Sequence, residues 1–291
     1  MGLSAPRRAV GLCSFGDAVI DVVISLSRLP VVDDDVPAEI TLVAGGQAAN
    51  VAAWCAALGA RSRLVTKLGT DVLGRLARDS LEFVGVEVLT PAGCGATGVV
   101  ASMVTPDGSR SMASDRRAIA EFAGDELEDA WFDDCAWLHV SGYALFGERS
   151  CGAALEASRL ARERGARVSV DLSTALLVGS LGRQEVQRRV QSCGASLVFA
   201  NAAEYDATGH LDVATTVVKR GARGCLVIEP GSSRELAALP ATVVADTTGA
   251  GDAFAAGWLL GGPDLALRAA RTCLGSYGAM PRMAASMEGT R

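Results

Sequence analysis

From about residue 137 the chain alternates short apolar runs with longer helix-like ones, and this rhythm limits the folds open to it. Strand-like segments fall at 137–141, 167–171, 196–200, 224–228 and 242–245. Between and after them lie helix-like segments at 150–164, 184–191, 212–219 and 250–260. Apolar strands separated by helices bury both sheet faces, so the pattern predicts an α/β chain with a mainly parallel sheet and helices on both sides. The first half begins the same way. Strands are expected over Ala9–Phe15 and, after a sharp Gly16-Asp17 turn, over Val19–Leu26. A buried, alanine-rich helix spans Gln47–Leu58 and stops at Gly59; a strand follows at Leu64–Leu68, then a helix at Asp71–Val84 with Thr70 as its N-cap.

One stretch breaks the rhythm. Thr97–Thr105 and Ser109–Ser114 flank Pro106-Asp107-Gly108, which predicts a hairpin. Segments of about 19–43 and 97–114 are therefore expected to form a small antiparallel sheet projecting as a lid. Neither an internal repeat nor a low-complexity linker interrupts residues 1–291, and they are read as a single domain.

A net charge of −6 without a block of Lys or Arg gives no electrostatic footprint for nucleic acid or an anionic membrane, which favours a small-molecule partner. No apolar run approaches the ~18 residues of a membrane span, and Asp17 interrupts the apolar N-terminal stretch before it resembles a signal peptide. Eight cysteines are scattered singly, without zinc-type spacing, as reduced thiols in a cytoplasmic protein would be. His139 and His210 match no triad or metal spacing, and the four tryptophans are read as core.

The sharpest chemical signal is Asp246-Thr247-Thr248-Gly249-Ala250-Gly251-Asp252-Ala253-Phe254, expected after a strand and at the head of an apolar helix. Small residues there let an anion approach first-turn amides that have no intrahelical acceptor, and the helix dipole favours that anion. Asp252 sits where it can take a proton from a hydroxyl beside a cradled phosphoryl group. An ordinary glycine turn with a capping aspartate explains a lone G-x-G-D, but not the whole run in this context. No G-x-x-x-x-G-K-[ST] is present, and no G-x-G-x-x-G follows the first strand, which excludes the P-loop and dinucleotide-binding arrangements.

This run resembles the C-terminal signature of the ribokinase-like (PfkB-type) carbohydrate kinases. Gly45-Gly46-Gln47-Ala48-Ala49-Asn50, followed by Gly59 and Gly69, resembles the N-terminal signature of the same family. The resemblance extends from about residue 9 to about 282. It implies a ribokinase-like three-layer fold with a small β-sheet lid, and ATP-dependent phosphorylation of a primary hydroxyl on a sugar or sugar-like molecule. By this resemblance Gly249, Ala250 and Gly251 form an anion hole and Asp252 is the base, while Asp21, Gly45, Gly46, Gln47 and Asn50 lie at the substrate. Asn201-Ala202-Ala203-Glu204 resembles the family's N-x-x-E motif, with Asn201 near the nucleotide and Glu204 near Mg²⁺. Lys219, Gly221 and Gly224 fall in a turn that touches the nucleotide in relatives; for Lys219 and Arg223 a solvated surface role is the alternative. Asp246 and the carbonyl of Thr248 correspond to a monovalent-cation site, so K⁺ is implied beside ATP and Mg²⁺. Relatives also form homodimers through the lid.

Two departures bear on the substrate. Val19 and Gln47 stand where ribokinases carry a sugar-binding Asn and a Lys, which argues against ribose because hydroxyl recognition rests on paired donors and acceptors. Arg110, Arg116 and Arg117 in the second lid segment suggest a sugar-acid carboxylate, or else solvated arginines on a hairpin edge. Fructose, a keto-deoxy sugar acid and a nucleoside stay open, as does a non-catalytic sensor that keeps the fold.

Overall fold

The computed structural model describes residues 11–33, 35–92, 95–106 and 110–281, without the side chain of Arg110. Ala9, Val10, Cys94, the centre of the Pro106-Asp107-Gly108 turn and the Arg110 guanidinium lie outside these residues. In chain order the regular elements are β1 (Gly11–Phe15), β2 (Val19–Leu26), β3 (Ala38–Gly45), α1 (Gln47–Ala57), β4 (Arg61–Val65), α2 (Val72–Phe83), β5 (Val86–Leu89), β6 (Gly98–Val104) and β7 (Arg110–Asp115). After them come α3 (Arg117–Ala120), β8 (Cys135–Ser141), α4 (Gly142–Leu145), α5 (Ser150–Glu163), β9 (Arg167–Asp171), α6 (Ala175–Leu181), α7 (Arg183–Cys193) and β10 (Ala195–Asn201). The last are α8 (Ala202–Thr208), β11 (Thr215–Lys219), β12 (Cys225–Glu229), β13 (Ser232–Leu236) and α9 (Ala250–Leu274).

Nine strands form the main sheet in the order β13-β12-β11-β10-β9-β8-β1-β4-β5, parallel except at β12 and β13. Alternate residues of each strand feed opposite faces. On β1, Cys13 and Phe15 join a core with α5 and α7, whereas Leu12 joins a second core with α1 and α9. Three layers result. In the second core Phe199 lies edge-on to Phe254 and Trp258, with ring centroids 6.4 and 6.3 Å apart, so truncating it to Ala would cost about 3–5 kcal/mol.

A separate four-stranded sheet, β3-β2-β6-β7, forms the lid. Its β2–β6 pair is parallel rather than antiparallel as expected, because β6 enters from the far side of α2 and β5 instead of from a hairpin with β2.

Several local expectations give way. Residues 212–219 are not a helix: Thr215-Thr216-Val217-Val218 is a β-branched run and forms the core of β11, parallel to β10. The strand at 242–245 is absent. Val243 and Val244 are 62% and 59% exposed in an irregular segment, and the sheet edge is instead the polar β13, antiparallel to β12. The run from Asp246 therefore follows a loop. β4 begins three residues before Leu64, with Ser62 bonded to the Ala52 carbonyl and Arg63 paired to Glu87, so both polar side chains are satisfied. Asp71, not Thr70, caps α2, its Oδ1 accepting the Gly74 N–H at 2.8 Å. The helix expected over 250–260 continues to Leu274 across a break at Gly261-Gly262 before Pro263.

Candidate active site

Strands β1, β8, β9, β10 and β11 all end on one side of the main sheet, and their carboxyl ends carry the polar residues that gather there, where parallel sheets bind ligands. Opposite stands the inner face of the lid. The two enclose a cleft of about 1070 Å³ lined by Asp21, Val23, Thr41, Val100 and Met112 from the lid and by residues 244–248 and 277–279 from the main body.

Residues far apart in sequence meet where the 244–248 wall of the cleft runs into α9. Asn50, in the second turn of α1, donates its Nδ2 to Oδ2 of Asp252 at 2.8 Å. The two signature runs are thus joined across 202 residues. The Asn50 side chain is buried, and its Oδ1 has no hydrogen-bond partner among the described residues. Burial pushes the Asp252 carboxyl up to about 7, against the Asn50 hydrogen bond and the charge of Lys219, which pull it down. A carboxylate poised near neutrality suits a general base.

The glycines have visible work. A Cβ on Gly45 would collide with the Asp21 carboxylate, so only glycine lets that side chain cross the start of the site. Gly249 has φ +76°, and a Cβ there would come within 2.5 Å of the Ala279 backbone. Gly249 is the N-cap of α9, whose first turn holds Ala250, Gly251 and Asp252. Asp246 braces this loop: its Oδ1 accepts the Thr248 N–H and hydroxyl at 2.9 and 2.6 Å, and its Oδ2 accepts the Gly278 N–H at 3.0 Å.

A second group lies along β10 and β11. Asn201 caps α8, and Glu204 returns both carboxylate oxygens to the Asn201 N–H and Nδ2, each at 2.7 Å. Burial, with the nearby Asp171, raises the Glu204 carboxyl to about 7. Gly221 and Gly224 form the tight turn between β11 and β12. Lys219 is not solvated: 17% of its side chain is exposed, and its Nζ lies 2.5 Å from Oδ2 of Asp171.

Sequence reasoning missed a buried polar group beside Gly46 and Gln47. Asp17 is fully buried and accepts from the Gln47 N–H at 3.1 Å, the Ser141 hydroxyl at 2.9 Å and Arg116. The Arg116 guanidinium lies 3.4 Å over the Tyr143 ring. The Gln47 side-chain amide lies within hydrogen-bond distance of the Ser141 and Ser173 hydroxyls, so the side chain that replaces a ribokinase lysine is held by the main body. Arg117 pairs with Asp115 on the exposed rim. Asp171 was also missed; the signal was a lone carboxylate at the end of a parallel strand.

Comparison with known proteins fits this arrangement. The family model of the pfkB family carbohydrate kinases matches residues 11–262. The chain is 30% identical to an ATP-dependent ribose-1-phosphate kinase of Halopiger xanaduensis, over 91% of this chain and 90% of that one. It is 31% identical to a fructokinase of Salmonella typhimurium, over 84% and 81% of the two. The solved adenosine kinase from Sinorhizobium meliloti superposes with a TM-score of 0.83 at 25% identity, covering 95% of this chain and 97% of that one.

The chain belongs to the pfkB family of carbohydrate kinases. It is an ATP-dependent sugar or nucleoside kinase with a ribokinase-like fold. No helix among the described residues is long and apolar enough to cross a membrane.

Proposed function

We propose that the protein transfers the γ-phosphoryl group of ATP to a primary hydroxyl of a neutral sugar or sugar-like compound, with Asp252 as the base. The observation that carries this reading is the Asn50–Asp252 hydrogen bond at the head of α9, the helix that follows directly on the 244–248 segment lining the lid-covered cleft. An acceptor hydroxyl donating to Asp252 would lie beside the Asn50 Oδ1, which has no partner among the described residues. The first-turn amides at Gly249–Gly251 would bind the transferred group as its charge spreads over the equatorial oxygens. The lid would keep water from competing as acceptor.

The nucleotide would lie toward β10 and β11, by Asn201, Gly221 and Gly224. Among the described residues no group of three or more His, Cys, Asp or Glu side chains is placed to hold a metal. That donor set fits Mg²⁺ held chiefly by phosphate oxygens and waters, with Glu204 as the protein carboxylate, and the ion would neutralise charge on the phosphates. Asp246 and the Thr248 carbonyl offer oxygen donors for K⁺ on one braced loop. Ile40 and Leu42, exposed on the outer lid face, support dimerisation through the lid. We read residues 1–291 as one catalytic domain acting in the cytoplasm.

Arg116 and Arg117 do not call for a sugar acid, because the Arg116 charge is balanced by buried Asp17 and that of Arg117 by Asp115. A nucleoside is the second reading: Val23, Val43, Val100, Val104 and Met112 give the cleft an apolar wall beyond Asp21, suited to a flat base. ³¹P NMR of products from ketoses, pentoses and nucleosides tests both. A primary phosphate ester on a free sugar supports the first reading, one on a nucleoside supports the second, and no ester on either overturns both.

A further inference from the structure

Lys219 ends β11 with its ammonium turned inward, among carboxylates. Its Nζ is bonded to Asp171 at the end of β9, and a Cβ built on Gly251 would stand 3.3 Å from that nitrogen. The ammonium therefore lies directly beneath the first turn of α9, one residue from Asp252. Three carboxylates, Asp171, Glu204 and Asp252, influence this single cation. The opposite side chain of the pair, Asp171, is itself almost wholly buried and is fixed by the Ser173 N–H at 3.1 Å. Such a pair does not stabilise a fold cheaply, since desolvating two charges offsets most of their attraction.

We propose that Lys219, held by Asp171, is a positioning residue of the kinase: it is the buried counter-charge that keeps Asp252 ionised and directed into the first turn of α9. This rests on the reading of Asp252 as the base. It assigns Lys219 a role in the catalytic floor instead of in the outer nucleotide turn. A centre of carboxylates alone would repel the phosphates of ATP and hold the base protonated; one ammonium beneath the anion hole opposes both effects.

The groups acting on Asp252 come from every side. Lys219 on β11 lowers its carboxyl, whereas Asp171 on β9 and Asp17 in the β1–β2 turn raise it. Uncharged Asn50 on α1 lowers it. Tyr143 on α4 and Cys273 late in α9 also sense its charge. Lys219 and Asp171 thus act on the base with opposite sign.

The test is a titration of ¹³C-carboxyl-labelled aspartates, in which the resonance missing from Asp252→Asn reports Asp252. Asp171→Asn is expected to move its midpoint down, and Lys219→Met to move it up by about one unit. Because Lys219→Met leaves Asp171 buried alone and can unfold the chain, Asp171→Asn with and without Lys219→Met supplies the same comparison; the double variant should titrate about one unit higher than the single. Lys219→Arg should keep the wild-type midpoint, and the acid limb of kcat/KM should follow each shift. Equal midpoints in Asp171→Asn and in the double variant would overturn the proposal. The titration needs no acceptor, so it decides the role of Lys219 even if no sugar or nucleoside is turned over, which would instead defeat the substrate reading.

Discussion

Replacing Asp252 by Asn should stabilise the protein while abolishing its chemistry. The carboxyl ordinarily titrates at 3.8 and is pushed up to about 7 by burial in the folded state. A carboxyl raised on folding favours the protonated native form, so no penalty exists below the unfolded value. The penalty grows as pH rises from 3.8 toward 7 and is constant above. About three units at roughly 1.4 kcal/mol each set a ceiling of about 4 kcal/mol. Asp252 keeps part of its surface open to the cleft, so the ceiling is discounted for solvent screening to about 2 kcal/mol. Asn has nearly the same shape and its carbonyl can still accept from Asn50, so the gain should not be lost to repacking. Urea denaturation at about pH 8 should show Asp252→Asn more stable by about 2 kcal/mol, with the gap closing to about half by about pH 4.5. A variant equally or less stable at the higher pH, or a gap indifferent to pH, would refute the argument that this aspartate is held ionised at a cost.

Three further outcomes follow from the same geometry. Asn50→Ala removes a hydrogen bond to a charged group worth about 1.5–3 kcal/mol, so the acid limb of kcat/KM should move up by about one to two pH units, read from activity between pH ~5 and ~9. Gly249→Ala forces a Cβ onto the Ala279 backbone at positive φ and should lower kcat by about 10²-fold or more and stability by at least about 1 kcal/mol, measured by steady-state kinetics and thermal melting. Gly45→Ala displaces the Asp21 carboxylate and should raise KM for the acceptor about tenfold or more while leaving KM for ATP unchanged.

How far the sequence could be read depended on whether the information was local. β2 was found at its observed limits because it is a largely apolar run after a Gly-Asp turn, β9 because Val168 and Val170 alternate with polar residues after Gly165, and α1 within one residue because an alanine-rich segment ends at a glycine. β11 was misread because the expected alternation overrode four consecutive β-branched residues. Val243-Val244 mimicked a strand although both side chains are exposed, Val244 at the cleft, and β13 escaped notice because an edge strand need not be apolar. At the site, Asn50 and Asp252 belong to recognisable runs, and the structure joins them. Asp17 and Arg116 were not legible as a pair: they lie 99 residues apart, and each alone reads as an exposed turn acid or a hairpin cation. Lys219 read as a nucleotide-turn residue, or else a solvated one, for the same reason, since its partner Asp171 is 48 residues away and only the strand order of the sheet brings the two together.

The most direct test of the central claim is ADP release from ATP with Mg²⁺, followed across ketoses, pentoses and nucleosides for the wild type and Asp252→Asn side by side. The account predicts turnover on one acceptor class, falling about 10²- to 10⁴-fold in the variant while ATP still binds. Turnover that survives in Asp252→Asn would contradict it.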